Sequence, residues 1–219
     1  MSLTPVKTPI VAKKMFPNFV WDIPSTDKTI YLTFDDGPTP EITNWTLNTL
    51  KNFGAKATFF CIGKNIEKHS DIFQDIIKEG HTIGNHTQNH IKGWKTNTED
   101  YVEEVSKAQK IIDNQTQNSK FKIQNIFRPP YGQITPKQGK KLMALDYKIV
   151  MWDILSFDWD KNVLPETCLN NVISKAKSGS IIVFHDSVKA SKNMQFVLPK
   201  VLEHFSEKGF EFKALSFAI

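Results

Sequence analysis

Ile30-Tyr31-Leu32-Thr33-Phe34-Asp35-Asp36-Gly37-Pro38 reads as a short apolar strand that runs into two carboxylates and is then broken by a glycine and a proline. Adjacent carboxylates repel one another unless a cation or a proton relieves them. A solvated loop that caps the next helix is the other reading of the pair. Working outward, further β-rich runs fall at 57–62, 82–85, 125–128, 147–152, 180–184 and 210–214, making seven with 30–34. Between them, 40–53, 65–79, 98–114, 136–145, 165–177 and 194–208 carry a helical period, several opened by Pro or Thr and closed by Gly, as at Lys78-Glu79-Gly80. Strands alternating with helices predict an α/β fold, a distorted (β/α) barrel of about seven parallel strands. A doubly wound dinucleotide fold fits less well, because no G-x-G-x-x-G follows the first strand and no phosphate-cradling G-x-x-x-x-G-K-[ST] occurs.

The chain has 219 residues, 40% of them hydrophobic, enough for one sizeable core. Residues 26–219 are expected to form that single domain. Residues 1–25, with Pro5, Pro9, Pro17 and Pro24, are expected to be an irregular arm packed on the barrel through Phe16, Phe19 and Trp21. The net charge of +5 comes from lysines scattered along the chain, which suits a solvated surface or an anionic cell-wall polymer and predicts no nucleic-acid partner. Cys61 and Cys168 have no zinc or redox spacing and are read as free thiols. No apolar run is long enough to span a membrane, and the N-terminus lacks the apolar centre of a secretory signal. As written the chain reads as cytoplasmic, or as an envelope or secreted protein whose leader has been removed. A monomer is expected.

Functional groups of a parallel strand-helix fold gather where strands end, and five polar clusters follow predicted strands. Asp35-Asp36 is the first. His86-Thr87-Gln88-Asn89-His90 puts two imidazoles at i, i+4, one face of a helical turn, where with a carboxylate they could hold a divalent ion; two surface histidines are the plain alternative. Phe127-Arg128-Pro129-Pro130-Tyr131-Gly132 carries a permanent cation off a strand into a stiff loop that can aim a backbone N–H, or simply pairs the Arg with an acid on a turn. In Met151-Trp152-Asp153-Ile154-Leu155-Ser156-Phe157-Asp158-Trp159-Asp160, acids interleave with aromatics that are either pocket wall or core. Ser180-Ile181-Ile182-Val183-Phe184-His185-Asp186 ends a very apolar strand on a histidine, the position of a general acid or of a satisfied structural residue. His69, His81 and His204 keep structural readings.

Taken together and in order, T-F-D-D-G-P, H-T-x-x-H, R-P-P-Y-G, S-x-D-W and the strand-end histidine resemble the polysaccharide deacetylases of the NodB homology domain, carbohydrate esterase family four, over residues 30–186. The resemblance implies removal of N-acetyl groups from N-acetylglucosamine units of a polysaccharide, peptidoglycan or a chitin-like oligomer, by metal-activated water. It implies Asp36, His86 and His90 as metal ligands, with Zn²⁺ the default and Co²⁺ or another divalent ion compatible. It further implies Asp35 as base, Arg128 holding Asp35, the backbone N–H of Tyr131 at the oxyanion, and His185 as acid with Asp158, or alternatively Asp153, orienting it. Pro129, Trp159 and Val183 would line the acetate pocket, Val183 standing where the family usually has Leu, and Trp94 would stack on a sugar ring. The competing readings are hydrolysis of another acyl or cyclic amide on the same scaffold, a non-catalytic carbohydrate-binding protein, and phosphoryl transfer at Asp35-Asp36, which histidine ligands disfavour.

Overall fold

β1 (Thr29–Asp35) is buried along nearly its whole length, only Tyr31 being partly exposed. A strand apolar on both faces belongs in the middle of a parallel sheet covered on both sides. The computed structural model, which describes residues 4–117 and 124–217, places it there. β1 pairs in parallel with β2 (Ala57–Cys61) on one side and β7 (Ile181–His185) on the other, while its first residues meet β8 (Glu211–Phe212). β3 (Thr82–Asn85), β4 (Ile126–Phe127) and β5 (Lys148–Ile149) continue outward from β2, and β6 (Ile154–Leu155) flanks β7. The order is β5-β4-β3-β2-β1-β7-β6, with every ladder parallel, so the expected distorted barrel forms.

Helices cover the outer face: α2 (Ile42–Asn52), α3 (Gly63–Lys68), α4 (Ser70–Lys78), α5 (Thr98–Thr116), α6 (Pro136–Met143), α7 (Pro165–Ile173) and α8 (Ser191–Glu207), after a short α1 (Ile10–Met15) in the arm. The main core lies between the central strands and α2, α4, α7 and α8, with Phe34 stacked on Phe59 and Phe184. The cysteines are free and buried.

Three local expectations change. The helix read over 65–79 breaks at His69, whose φ of −134° is extended, giving α3 and α4. β6 was not expected, because two residues are too few to show a period. The run 147–152 keeps only Lys148–Ile149 as strand, since Val150 forms a bridge with Val20 of the arm. The arm also bridges Lys7 to Ile154 and Asp22 to Ser180, and its Phe19 is buried in a second apolar cluster with Phe16 and Trp21 packed against it. Residues 1–3 of the arm lie outside the described residues.

Candidate active site

The C-terminal ends of β1, β3, β4 and β7 open into one cavity of about 340 Å³, and register decides what meets there. Asp35 lies opposite His185 across the β1–β7 ladder. Beyond Asp35 the chain turns sharply: Asp36 has φ of 82°, Asn65 Nδ2 donates to its carbonyl at 2.7 Å, and the N–H of Gly37 donates to Asp186 Oδ1 at 3.1 Å. A Cβ on Gly37 would stand 2.1 Å from Asp186 Oδ2, so only glycine fits this close approach.

His86 and His90 do not lie on a helical turn. Thr87 and His90 take left-handed φ values of 65° and 55°, in a loop held by Thr87 N–H on Asn85 Oδ1 and by Glu104 on Asn89. The loop nevertheless brings the two rings within 5.1 Å. His86 Nδ1 donates to Arg128 O at 2.7 Å, which leaves Nε2 as the lone-pair atom facing Asp36 Oδ1 at 3.8 Å; His90 Nε2 is 3.2 Å from the same oxygen. That oxygen is buried and has no hydrogen-bond donor among the described residues. Burial lowers the pKa of both imidazoles, that of His90 to about 4, keeping them neutral. Burial opposes ionisation of Asp36, but the charge on neighbouring His185, the strongest of the opposing influences, helps carry its pKa down. Neutral imidazole nitrogens and a carboxylate oxygen, all within 4.8 Å of one another, fit a divalent cation with open positions.

Arg128 is fully buried, its guanidinium 4.1 Å above the Phe60 ring. Nη1 donates to Thr33 Oγ1 and to Asp35 Oδ1, both at 2.7 Å; Nε reaches Val150 O at 3.2 Å and Nη2 Met151 O at 2.8 Å. Across the cavity, both oxygens of Asp158 are engaged by His185, through Nδ1 at 2.8 Å and the backbone N–H at 2.7 Å. Burial disfavours charge on His185, but the Asp158 charge and hydrogen bond, with Asp36 and Asp35 behind them, carry its pKa up to about 9. Asp153, the alternative partner, instead holds Lys7, Lys13 and Ser180.

Pro129, Tyr131, Trp159 and Val183 line the cavity. Tyr131 sits at φ of 59° in a tight turn, its ring 4.6 Å from His90. Trp94 does not line it: the ring is 67% exposed elsewhere, with Nε1 donating to Ile134 O at 3.2 Å. Trp152 and Leu155 complete the apolar wall, and Thr4 and Lys189 stand at its edge. Sequence reasoning missed Asp186, a fully buried carboxyl that accepts from Thr43 Oγ1 at 2.6 Å and from Gly37 N–H. Its burial, resisted by the Thr43 bond, pushes its pKa to about 8. An acid directly after so apolar a strand was the available signal; its partners were not readable.

A family model described as polysaccharide deacetylase matches residues 22–150. A peptidoglycan-N-acetylglucosamine deacetylase of Bacillus cereus is 32% identical over 198 residues, 90% of each chain. Chitin deacetylase 2 of Saccharomyces cerevisiae is 34% identical over 176 residues, 78% of this chain and 54% of that one. The solved structure of Bc1960, a peptidoglycan N-acetylglucosamine deacetylase in complex with an N-hydroxybenzamide, superposes with a TM-score of 0.85 at 32% identity, over 95% of each chain.

Proposed function

The chain belongs to the polysaccharide deacetylase family, and from that premise we propose that it hydrolyses the N-acetyl groups of N-acetylglucosamine units in a polysaccharide, peptidoglycan first among them. The observation that carries the reading is the single cavity in which Asp36, His86 and His90 converge between an Arg-held Asp35 and an Asp-held His185.

In this reading Asp36, His86 and His90 hold a divalent ion, Zn²⁺ by the preference of two imidazoles and one carboxylate. The ion supplies Lewis acidity, acidifying water and polarising a carbonyl. Asp35, oriented by Arg128 at 2.7 Å, takes a proton from water as its oxygen adds to the acetyl carbon. The backbone N–H of Tyr131 donates to the developing oxyanion. His185, kept protonated at neutral pH by Asp158, gives its proton to the sugar nitrogen as the C–N bond breaks, leaving acetate and a free amine. Trp159, Val183, Leu155 and Pro129 enclose the acetyl methyl, and the lost methylene at Val183 relative to Leu is worth about 1 kcal/mol, too little to abolish acetyl preference. Trp94, fixed through its indole N–H but exposed, offers its face to a sugar outside the cavity. All these residues come from one chain, so the monomer is a sufficient working unit.

Acetate release from peptidoglycan glycan strands and from chitin oligomers, with and without a chelator, tests the proposal. Metal-dependent release from either polymer supports deacetylation, and their ratio names the substrate. Binding of both without acetate release would mean a carbohydrate-binding protein.

A further inference from the structure

β5 and β6 form no ladder with each other among the described residues, and the arm pairs with both. Val20 N–H donates to Ile149 O at 2.8 Å, and Val20 O accepts from Met151 N–H at 2.7 Å. Leu155 N–H donates to Val6 O, Thr8 N–H to Asp153 O, and Thr8 Oγ1 to Trp152 O, each at 2.8 Å. The segment 149–155 thus draws much of its backbone pairing from the arm. It is also the segment that receives Arg128, on the carbonyls of Val150 and Met151.

The arm is locked down by a buried charge. Asp153 is fully buried and accepts from Lys13 Nζ at 2.6 Å, Ser180 Oγ at 2.7 Å and Lys7 Nζ at 3.0 Å, and Lys13 also bonds Asp22. A buried carboxylate is tolerated only when so paired, which fixes where the arm must lie. Removing one of its donors loosens the lock without unpairing the acid completely.

We propose that arm residues 6–23 are a positioning element of the catalytic site: clamped by Lys7 and Lys13 on Asp153, they pair through Val20 with the Ile149–Met151 backbone, whose Val150 and Met151 carbonyls anchor Arg128, and through Arg128 orient Asp35. This rests on the roles proposed above for Arg128 and Asp35. Small misplacements of a catalytic group are costly in rate, so loosening the clamp acts on kcat before it acts on substrate binding.

The test is a double-mutant cycle, Asp153→Asn with Arg128→Lys, with acetate release, metal titration and the ¹⁵N resonance of Arg128 Nε–H as readouts. Asp153→Asn should lower kcat about tenfold, leave KM and metal affinity within about twofold, shift the Nε–H resonance, and cost under about twofold more when Arg128 is already Lys. An equal loss in both backgrounds, or an unmoved resonance and kcat in a protein of lowered stability, overturns the proposal and leaves the clamp purely structural. If Asp153→Asn does not fold, Lys13→Gln, which leaves Lys7 and Ser180 on Asp153, enters the same cycle with an expected loss of about threefold. A protein in which the resonance moves but no acetate is released from any polymer retains the positioning geometry and loses the deacetylase reading instead.

Discussion

Asp35 and Asp36 are chain neighbours, yet Asp35 meets Arg128 at 2.7 Å while Asp36 meets His90 and His86 at 3.2 and 3.8 Å. The turn at Asp36, with φ of 82°, sends the two carboxylates to different partners, and the partners set their chemistry. The same contrast separates the histidines. Burial holds His86 and His90 neutral, which the proposed ligand role requires, whereas Asp158 charges His185, which the proposed acid role requires. The expected outcomes therefore differ by residue. His86→Ala should weaken metal binding at least about tenfold in a calorimetric titration. His185→Ala should titrate metal normally and lose about 10²- to 10⁴-fold in turnover. Unchanged turnover in His185→Ala would reassign the acid.

At the scale of elements, a strand's end is precise because its body is buried on both faces. β7 has four buried residues before His185, and β1 delivers Asp35 opposite it in register. A different histidine ties β3 to β2 through its ring. His81, at the start of β3, accepts the Ala57 N–H on Nδ1 at 3.1 Å, and burial, helped by Lys56, lowers its pKa from 6.5 to about 4. Because the folded pKa is the depressed one, the unfolded chain binds the extra proton between pH 6.5 and 4. Stability is complete above pH 6.5 and falls as pH drops to 4, by on the order of 3 kcal/mol from this group. Urea midpoints across that range should show the slope, and His81→Asn, which keeps an acceptor for Ala57, should flatten it.

For the whole molecule, the proposed metal site links ion binding to folding, since its three candidate ligands come from loops after β1 and β3 and converge only in the folded chain. At a Zn²⁺ concentration about 100 times Kd the native state gains about 2.7 kcal/mol, which at this chain length raises Tm by about 5–10 °C. A chelator should reverse the shift, and His86→Ala should show little of it. A wild-type Tm indifferent to Zn²⁺ would remove the metal site.

The amino-acid sequence by itself determined the alternation of buried strands and amphipathic helices, the barrel that follows from it, and the gathering of polar clusters at strand ends. Burial on both faces and Gly/Pro breaks are local properties, written in local composition. It did not show β6, whose two residues carry no period, or the left-handed loop that replaces a helical turn at His86–His90. Nor could it choose between Asp153 and Asp158, which share one acidic and aromatic stretch. That choice waited on tertiary structure, where Asp158 meets His185 and Asp153 meets the lysines of the arm. The place of Trp94 outside the cavity and of Asp186 beside it was set in the same way. Which groups touch is set by sheet register and loop closure between residues far apart in the chain, and no local pattern encodes that pairing.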